Sequence, residues 1–489
     1  MAGYVKGIIS ELSIASHLES IFCLQLADSK YFTGIANKLN AKNRRATISA
    51  LHKEAMLSVL RPSRLSSRLA FTLLLLVFAA SVTHNALAAG RVCDPAKFGA
   101  RADGVSKDTK AIQAAIDDCA AHGGGTVTLN KGTYVSGPIV LKDNITLDVE
   151  TGSTLLGSPD HSDYPQITEF RNPGTQSLVS AKNAHNLTIT GGGVIDGNGE
   201  SWWALVRAGK TTGVMGGANV FRPRLVVFDH CRHILIEKVT VQNSPSWQIV
   251  PYYSDDIIIR NMKVLATLPS PNTDAIDPFS SSNIVIDHVY ADVGDDNIAI
   301  KSGAINSPGP DAPSRNITIT DCTFDHGHGL SIGSEIAGGA QNIHAERIHF
   351  KGTDQGIRIK ANRDRGADVS NISFKDIDMD GVKTDILISE YYPRVLPPDP
   401  NPAQPITRLT PFFHDILIEN VKAINSGTDG VIIGLPESPV KGVVLKNVDL
   451  SGAKGMTISD AEVTGENVTV KADTGKGMDI LPSARVTIK

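Results

Sequence analysis

Through most of its length the chain repeats a short phrase in which apolar and polar residues alternate. Typical copies open with an amide or acidic residue, as in Asn283-Ile-Val-Ile, Asn316-Ile-Thr-Ile and Asp415-Ile-Leu-Ile. A second phrase follows many copies after roughly 13 to 15 residues, as in Asn297-Ile-Ala-Ile and Gly356-Ile-Arg-Ile. Alternation with a period of two predicts β-strands, and recurrence at intervals of about 23 to 33 residues predicts a solenoid.

The repeat also predicts how the strands associate. Each copy is too small to bury its own apolar face, so successive copies must stack. Several short strands per turn, with no helix between them, predict an all-β protein that forms a parallel β-helix of about ten coils. A β-sandwich also has short strands separated by turns, but it lacks this in-phase recurrence.

One segment breaks the strand pattern. Residues Asp108–Ala121 predict an amphipathic helix, with Asp108 or Thr109 as N-cap and with Ile112, Ala115, Ile116 and Cys119 on one face. The open end of a solenoid would expose strand edges. We therefore expect this short helix to cap the N-terminal end.

The first ninety residues differ from the rest. Three arginines precede the apolar run Leu69–Val82, and Ala86-Leu87-Ala88 follows it. This order is typical of a secretory signal peptide, and the run is shorter than the roughly twenty residues that span a bilayer. Because signal peptides begin near the initiator methionine, we interpret Met56 as the start of translation.

This interpretation divides the chain into three parts. Residues 1–55 are a non-native or leader extension, residues 56–89 are the signal peptide, and residues 91–489 form a single β-helix catalytic domain. The mature protein is then secreted, to the exterior or the periplasm, with no membrane association after cleavage. We also expect it to be a monomer.

Charge and cysteine content narrow the partners. The net charge of −4, with a basic N-terminal region, leaves an acidic remainder, which argues against nucleic-acid binding. Four cysteines follow the signal peptide, without the CxxC spacing of zinc sites. We favour a disulfide between Cys93 and Cys119, and interpret Cys231 and Cys322 as buried thiols. No metal or organic cofactor is implied.

Setting the second phrases in register brings polar residues together. The residues just before three successive phrases are Asp296, His328 and Gln355, and the preceding coil offers Asp274. Stacked strands lie about 4.8 Å apart. Asp274, Asp296 and His328 should therefore form a ladder on one outer edge, with Asp295 beside Asp296.

Cations join this ladder one coil away. Arg358 and Lys360 alternate with apolar Ile357 and Ile359, so they share the outer face; Lys301, Arg363 and Arg365 could enlarge the patch. Each element has a simpler interpretation, since Asp pairs are common in turns and cations on strands are usually solvated. Their convergence on one edge predicts a carboxylate active site.

This arrangement suits glycoside hydrolysis. One carboxyl group protonates the leaving oxygen while another activates water, and the inverting mode needs roughly 6.5–9.5 Å between them. Repulsion among crowded carboxylates should raise the pKa of the acid. Arg358 and Lys360 would bind a carboxylate of the substrate.

At these residues the chain resembles the polygalacturonases of glycoside hydrolase family 28. Four signatures occur in order: Asn272-Thr273-Asp274, Gly294-Asp295-Asp296, Gly327-His328-Gly329 and Arg358-Ile359-Lys360. The resemblance covers about residues 93–489. It implies a right-handed β-helix and a substrate of polygalacturonate, the backbone of pectin.

The resemblance also implies the role of each residue. Asp295 would be the general acid, Asp274 and Asp296 would activate the water, and His328 would support the acid. Arg358, Lys360 and Asn272 would bind substrate. Tyr392 occupies the place of a substrate-contacting tyrosine, although Tyr391 stands beside it.

Departures from the family pattern leave the mode of attack open. Ala275 and Asn297 replace more usual residues after two of the signatures, and with the phrase that starts at Gly329 they look closer to bacterial or exo-acting branches. We expect exo action, with Trp202–Gly217 and Pro393–Pro405 as candidate barriers. The alternatives are an endo-polygalacturonase, a hydrolase of a related polymer such as rhamnogalacturonan, a pectate lyase, and a non-catalytic polysaccharide-binding β-helix.

Overall fold

The fold is described by a computed structural model that covers residues 90–209 and 221–489. The predicted leader and signal peptide lie outside these residues. No helix within the two described ranges is long and apolar enough to cross a membrane.

Nearly every element is a β-strand. The first strands in chain order are β1 (Val92–Cys93), β2 (Asp103–Lys107), β3 (Gly125–Leu129), β4 (Gly132–Ser136), β5 (Ile139–Leu141), β6 (Ile145–Val149), β7 (Ser153–Gly157), β8 (Gln166–Glu169), β9 (Asn172–Thr175), β10 (Val179–Lys182), β11 (His185–Thr190), β12 (Val194–Asp196), β13 (Val226–Asp229), β14 (Arg232–Glu237) and β15 (Thr240–Gln242). The later strands are β16 (Ile249–Tyr252), β17 (Asp255–Leu265), β18 (Ser282–Asp292), β19 (Ile298–Ile300), β20 (Ser314–Asp325), β21 (Leu330–Ile332), β22 (Ala340–Lys351), β23 (Gln355–Lys360), β24 (Asp368–Asp380), β25 (Thr384–Ser389), β26 (Phe412–Ile433), β27 (Val440–Ser459), β28 (Ala461–Ile480) and β29 (Arg485–Ile488). The α-helices are α1 (Thr109–Ala121) and α2 (Glu200–Arg207), and 3₁₀ turns cover Pro95–Phe98 and His161–Asp163.

The strands wind into a right-handed parallel β-helix with three sheets. Sheet 1 stacks β1, β3, β6, β11 and β14 on the first parts of the long strands from β17 onward, and sheet 2 stacks β2, β4, β7, β12 and β15 on their later parts. Sheet 3 stacks β5, β10, β13, β16, β19, β21, β23 and β25, and then the ends of β26, β27 and β28. All of these pairs are parallel, whereas β8 and β9 form an antiparallel hairpin. The predicted fold class is confirmed.

The opening residue of the repeat phrase has a structural cause. In copy after copy this residue adopts a positive φ, as at Asn316 (56°), Asn342 (57°) and Asn371 (55°), where the chain enters sheet 1. Asparagine tolerates this conformation better than most residues. Each side chain also donates to the one a coil below, from Asn342 to Asn316 (3.0 Å) and from Asn371 to Asn342 (2.8 Å). The asparagines therefore form a ladder that links the coils.

The first helix covers the N-terminal end of the apolar core. α1 buries Ile112, Ala115, Ile116 and Cys119, as the sequence predicted. The side chain of Asp108 does not cap the helix. It accepts hydrogen bonds from the backbone N–H groups of Arg101 (2.8 Å) and Ala102 (3.0 Å), because the preceding turn folds back onto it.

The cysteines divide into a pair and two thiols. Cys93 and Cys119 form a disulfide with a Cα–Cα distance of 6.0 Å. It ties β1 to α1. Cys231 and Cys322 are free and buried.

Candidate active site

Strand register in sheet 3 brings the predicted residues onto one wall. Ile276 pairs with Ile298, Ile298 with Leu330, and Leu330 with Ile357. Two positions before these residues stand, in the same order, Asp274, Asp296, His328 and Gln355. The column inferred from the repeat is therefore the column in the structure, and Asp295 lies at its edge.

Asp296 is the most tightly held carboxylate. It is buried; Lys360 Nζ donates to its Oδ2 (2.7 Å), while Arg358 Nη1 (3.2 Å) and Ser331 Oγ (2.8 Å) donate to its Oδ1. Burial raises the pKa of Asp296, but the charges of Lys360 and Arg358 outweigh burial and lower it strongly. Asp296 is therefore an anion that neutralises both predicted substrate-binding cations.

Asp295 is linked to the imidazole of His328. His328 Nδ1 lies 3.0 Å from Asp295 Oδ1, and Nε2 lies 3.4 Å from Asp354 Oδ2 on the next coil. Burial raises the pKa of Asp295, but the contact with His328 lowers it, and the net shift is downward. Burial lowers the pKa of His328, whereas Asp295 raises it, and the net shift is upward. The pair therefore behaves as an imidazolium–carboxylate pair.

Asn272 lies against the same acid. Its Nδ2 donates to Asp295 Oδ2 (3.3 Å), and its Oδ1 accepts from Arg222 Nη2 (2.7 Å). Arg222 is buried, which lowers its pKa to about 10. Asn272 thus orients the face of Asp295 that is turned away from His328.

Among the three predicted carboxyl groups, the pKa is raised at Asp274 and not at Asp295. Asp274 is 3% exposed, and its Oδ2 lies 3.6 Å from Lys301 Nζ. Burial, followed by the nearby Asp277 and Asp295, raises the pKa of Asp274 well above its usual range. The expected effect of crowding is present, but it falls on a different acid because His328 stabilises the anion of Asp295.

The structure distinguishes between the two tyrosines. The ring of Tyr392 lies 5.9 Å from the guanidinium carbon of Arg358 and 5.3 Å from Lys360 Nζ. The hydroxyl of Tyr391 instead donates to the carbonyl of Gly434 (3.1 Å), on a coil beyond the site. Tyr392 is therefore the tyrosine that borders the cationic patch.

Of the three basic residues that could enlarge the cationic patch, two lie at the site and one does not. Lys301 belongs to the site, through Asp274 and through Glu335 at 3.5 Å. Arg365 lies 5.7 Å from the ring of Tyr392. Arg363 forms two hydrogen bonds with Glu437 (2.6 and 3.0 Å), so it does not contribute to the patch.

Sequence reasoning missed several residues that lie beside the predicted site residues. They are Arg222, Asp277, Ser331, Glu335 and Asp354. The repeat register places Ser331 beside Arg358, and Asp277 three residues after Asp274, so both were within reach of the same reasoning. Arg222 and Asp354 contact the site only through the folded turns, which no local pattern encodes.

Three side chains of the predicted site are close enough together to hold a metal ion. Ligand atoms of Asp295, Asp296 and His328 all lie within 4.8 Å of one another. The oxygens of Asp296 already accept from two cationic side chains, and His328 faces Asp295 through one ring nitrogen. This donor set is better matched to proton transfer than to a divalent ion.

Comparison with known proteins agrees with this geometry. A profile described as Glycosyl hydrolases family 28 matches residues 119–474. A "Probable polygalacturonase" of Vitis vinifera is 30% identical over 396 residues, which cover 76% of this chain and 78% of the relative. An "Endo-polygalacturonase" of Pectobacterium carotovorum subsp. carotovorum is 30% identical over 387 residues, or 75% of this chain and 88% of the relative.

A solved structure extends the comparison to the fold. The exopolygalacturonase of Thermotoga maritima is 27% identical, with a TM-score of 0.63 over 81% of this chain and 92% of that one. The region matched by the family profile, residues 119–474, contains the whole column of carboxylates and cations. The chain is a glycoside hydrolase and belongs to family 28 of the glycosyl hydrolases.

Proposed function

We propose that the protein hydrolyses α-1,4-galacturonosidic bonds in polygalacturonate with inversion at the anomeric carbon, acting from chain ends. The observation that carries the proposal is the convergence of Asp274, Asp295, Asp296 and His328 with Arg358 and Lys360 on one wall. Inverting glycoside hydrolysis uses one carboxyl group as the general acid and another as the general base. The two cations suit a substrate that carries a carboxylate on each sugar.

Asp295 and His328 together supply the acid. In the free protein the pair holds one proton, since the pKa of Asp295 is lowered and that of His328 is raised. As the glycosidic C–O bond breaks, Asp295 delivers this proton to the leaving oxygen. Asp295 takes this proton from the imidazolium of His328, 3.0 Å away, so the transfer leaves the pair as a carboxylate and a neutral imidazole.

Water attacks from the opposite side of the sugar. Its oxygen bonds to the anomeric carbon while Asp274 accepts the proton that it releases, with Asp296 alongside. A base with an upward-shifted pKa accepts a proton more readily than an ordinary carboxylate. The reaction yields a shortened chain and a sugar with a free, inverted hemiacetal.

The substrate carboxylate would lie against Arg358 and Lys360, beside the ring of Tyr392. In the free protein Asp296 forms ion pairs with both of these cations. Binding of galacturonate therefore redistributes their hydrogen bonds, and it frees Asp296 to take part in activating the water.

Chain-end action is supported by a segment that we call the strap, the hairpin Gln166–Thr175 formed by β8 and β9. It leaves the edge of sheet 3 that adjoins sheet 2, since it lies between β7 and β10. Its tip reaches the opposite edge, where Arg171 Nη2 donates to the hydroxyl of Tyr253 (3.1 Å) and Nη1 lies 3.4 Å from Asp311. The strap thus crosses the outer face of sheet 3 from one edge to the other.

Aromatic packing fixes the strap on that face. The ring of Phe170 stacks on Tyr252 (4.1 Å) and on Phe279 (5.8 Å), and Arg224 lies 4.3 Å over it. The outward-facing Val250 is completely buried as a result. Phe279 belongs to the same coil as Asp274, so the obstruction begins directly beside the catalytic carboxylates.

The strap is a different segment from the two barriers expected from the sequence, which stay predictions. Of Trp202–Gly217, residues 210–217 lie outside the described residues. The Pro393–Pro405 loop lies on the other side of the site, where the carbonyl of Val395 accepts from Ser389 Oγ (2.7 Å). A polymer that cannot continue past the strap presents only its end to Asp295.

Hydrolysis is tested with purified protein on polygalacturonate. Proton NMR of the first products should show the inverted anomer, and reducing ends should rise without an unsaturated uronate. Asp295→Asn should lower kcat by about 10²–10⁴-fold, whereas the exposed Asp378→Asn should leave kcat unchanged. Unsaturated products would instead establish a lyase, and full activity of Asp295→Asn with bound polymer would favour a binding protein. Faster turnover of rhamnogalacturonan would reassign the substrate.

Chain-end action is tested by separating the products. The wild type should release only monomer or dimer, and Phe170→Ala, which loosens the strap, should add longer oligomers. A ladder of oligomers from the wild type at low conversion would contradict the chain-end mode while leaving hydrolysis intact.

Secretion and a monomeric state complete the proposal. Export is supported by the pattern at residues 56–89 and by a substrate that is a polymer of the plant cell wall. The N-terminal sequence of protein collected outside the cell should begin near Gly90. Gel filtration should give the mass of one chain.

A further inference from the structure

Asp277 is a buried acid that the hydrolysis described above does not use. It is fully buried, and neither of its carboxylate oxygens has a hydrogen-bond partner among the described residues. The register of sheet 3 places it between the small or apolar side chains of Val250 and Ala299, on the same outer face as Arg358. It stands three residues after Asp274, on the coil that carries this proposed base.

The charges that face Asp277 are unbalanced. Asp274, Asp295 and Asp296 are the anions near it, and Lys301 and Arg224 are the cations. Lys301 also lies 3.6 Å from Asp274 and 3.5 Å from Glu335. One ammonium group is therefore the nearby positive charge for three carboxyl groups, those of Asp274, Asp277 and Glu335. Arg224 pairs with Glu169.

Two buried carboxyl groups that share one cation do not both ionise. An ionised carboxylate without hydrogen bonds is the more costly of the two. Asp274 has the ammonium of Lys301 within 4 Å and lies in the column that faces the substrate, whereas Asp277 has no such contact.

We propose that Asp277 carries a proton in the working enzyme and thereby keeps Asp274 ionised, as a positioning residue for the base. The idea rests on the proposed role of Asp274. The pKa of Asp277 is raised well above its usual range, mainly by burial, in agreement with a neutral side chain. If Asp277 lost its proton, the second negative charge would raise the pKa of Asp274 further. Asp274 would then be protonated and could not accept a proton from water.

The test compares Asp277→Asn, which imitates the protonated acid, with Asp274→Asn. Asp277→Asn should keep kcat within about threefold of the wild type, and the acid side of its kcat/KM profile should stay in place, because the neighbour of Asp274 is neutral in both proteins. Asp274→Asn should lose at least about 100-fold. A loss of that size in folded Asp277→Asn would overturn the proposal, since it would make Asp277 a required anion.

A spectroscopic arm does not depend on activity. The infrared difference spectrum of wild type minus Asp277→Asn at neutral pH should contain the carbonyl stretch of a protonated carboxyl group. A difference spectrum with only carboxylate bands would refute the proposal even if the substrate were wrongly assigned. If Asp277→Asn does not fold, Asp277→Ser provides a second neutral side chain, for which the same band and kcat within about tenfold are expected. Absence of this band from the difference spectrum of wild type minus Asp277→Ser, or a larger loss of activity in Asp277→Ser, would count against the proposal in the same way.

Discussion

The stability of the β-helix should fall as the pH rises, because acids are buried inside it. Asp385 and Asp429 occupy the same position in neighbouring coils, since Ile386 pairs with Gly430. Both are fully buried, and only one oxygen of Asp385 has a partner, Ser426 Oγ at 2.7 Å. Burial is the main cause that raises the pKa of Asp385 to about 8 and that of Asp429 to about 6.

The sign follows from proton binding. From about pH 4 to pH 8 the folded protein keeps a proton on Asp385 that the unfolded chain has lost, so the free energy of unfolding falls with rising pH across this window. A pKa shift of about four units at about 1.4 kcal/mol each sets an upper bound of about 6 kcal/mol on the free energy of unfolding that is lost across this window. Asp385→Asn removes the titration but retains the shape and an acceptor for Ser426. At pH 8.5 it should exceed the wild type in stability by at least about 2 kcal/mol.

Urea unfolding, followed by the fluorescence of the buried Trp202, Trp203 and Trp247, measures this difference. At pH 5 the two proteins should agree within about 1 kcal/mol. Asp378→Asn, on an exposed side chain, should not change stability at either pH. Equal differences between Asp385→Asn and wild type at pH 5 and pH 8.5 would refute the assignment of a neutral buried acid.

Further expectations follow from other contacts. On the proposed mechanism His328 must be protonated to supply the proton that Asp295 transfers, so kcat/KM should fall as the pH rises through the raised pKa of His328, and His328→Gln should remove this limb of the profile. Methyl-esterified polygalacturonate lacks the charge that we propose Arg358 binds, so its kcat/KM should be about 10- to 150-fold lower in a coupled reducing-end assay, from roughly 1.5–3 kcal/mol per charged hydrogen bond. Exchanging Cys93 and Cys119 for serine opens a loop with a sequence separation of 26 and should cost roughly 3.5 kcal/mol in urea unfolding. Asn342→Ala should lower the free energy of unfolding by about 2 kcal/mol, because position 342 has a positive φ and the ladder hydrogen bonds are lost. Asn342→Gly should lower it by less, and thermal melts of the two variants measure the difference.

The sequence predicted those features that depend on register. Because apolar residues at every second position must face the core and successive phrases must stack, the column of Asp274, Asp296 and His328 follows from the spacing of the phrases alone. The same logic put Arg358 and Lys360 on the outer face. The disulfide and the buried face of α1 followed from equally local patterns.

The remaining features depend on contacts between distant turns. The strap has no repeat phrase, and only the stacking of Phe170 on Tyr252 and Phe279 determines where it lies. The preference of Arg358 for Asp296 required the actual distances between side chains, because every anion of the patch was a candidate partner. The sequence predicted a raised pKa for the general acid, whereas the pKa of Asp295 is lowered and that of Asp274 is raised, because crowding alone does not reveal that His328 stabilises the anion of Asp295.

The charge arrangement explains how an acidic protein accepts a polyanion. A net negative surface repels polygalacturonate over long distances, so attraction must come from cations at the site itself. Two neighbouring cations repel each other, and Asp296 offsets this repulsion by pairing with both Arg358 and Lys360. A galacturonate carboxylate offers them the same chemical group. The free site is therefore held together by an internal counterpart of the galacturonate carboxylate, and on the mechanism that we propose the arrival of substrate would convert Asp296 from a structural anion into a participant in the reaction.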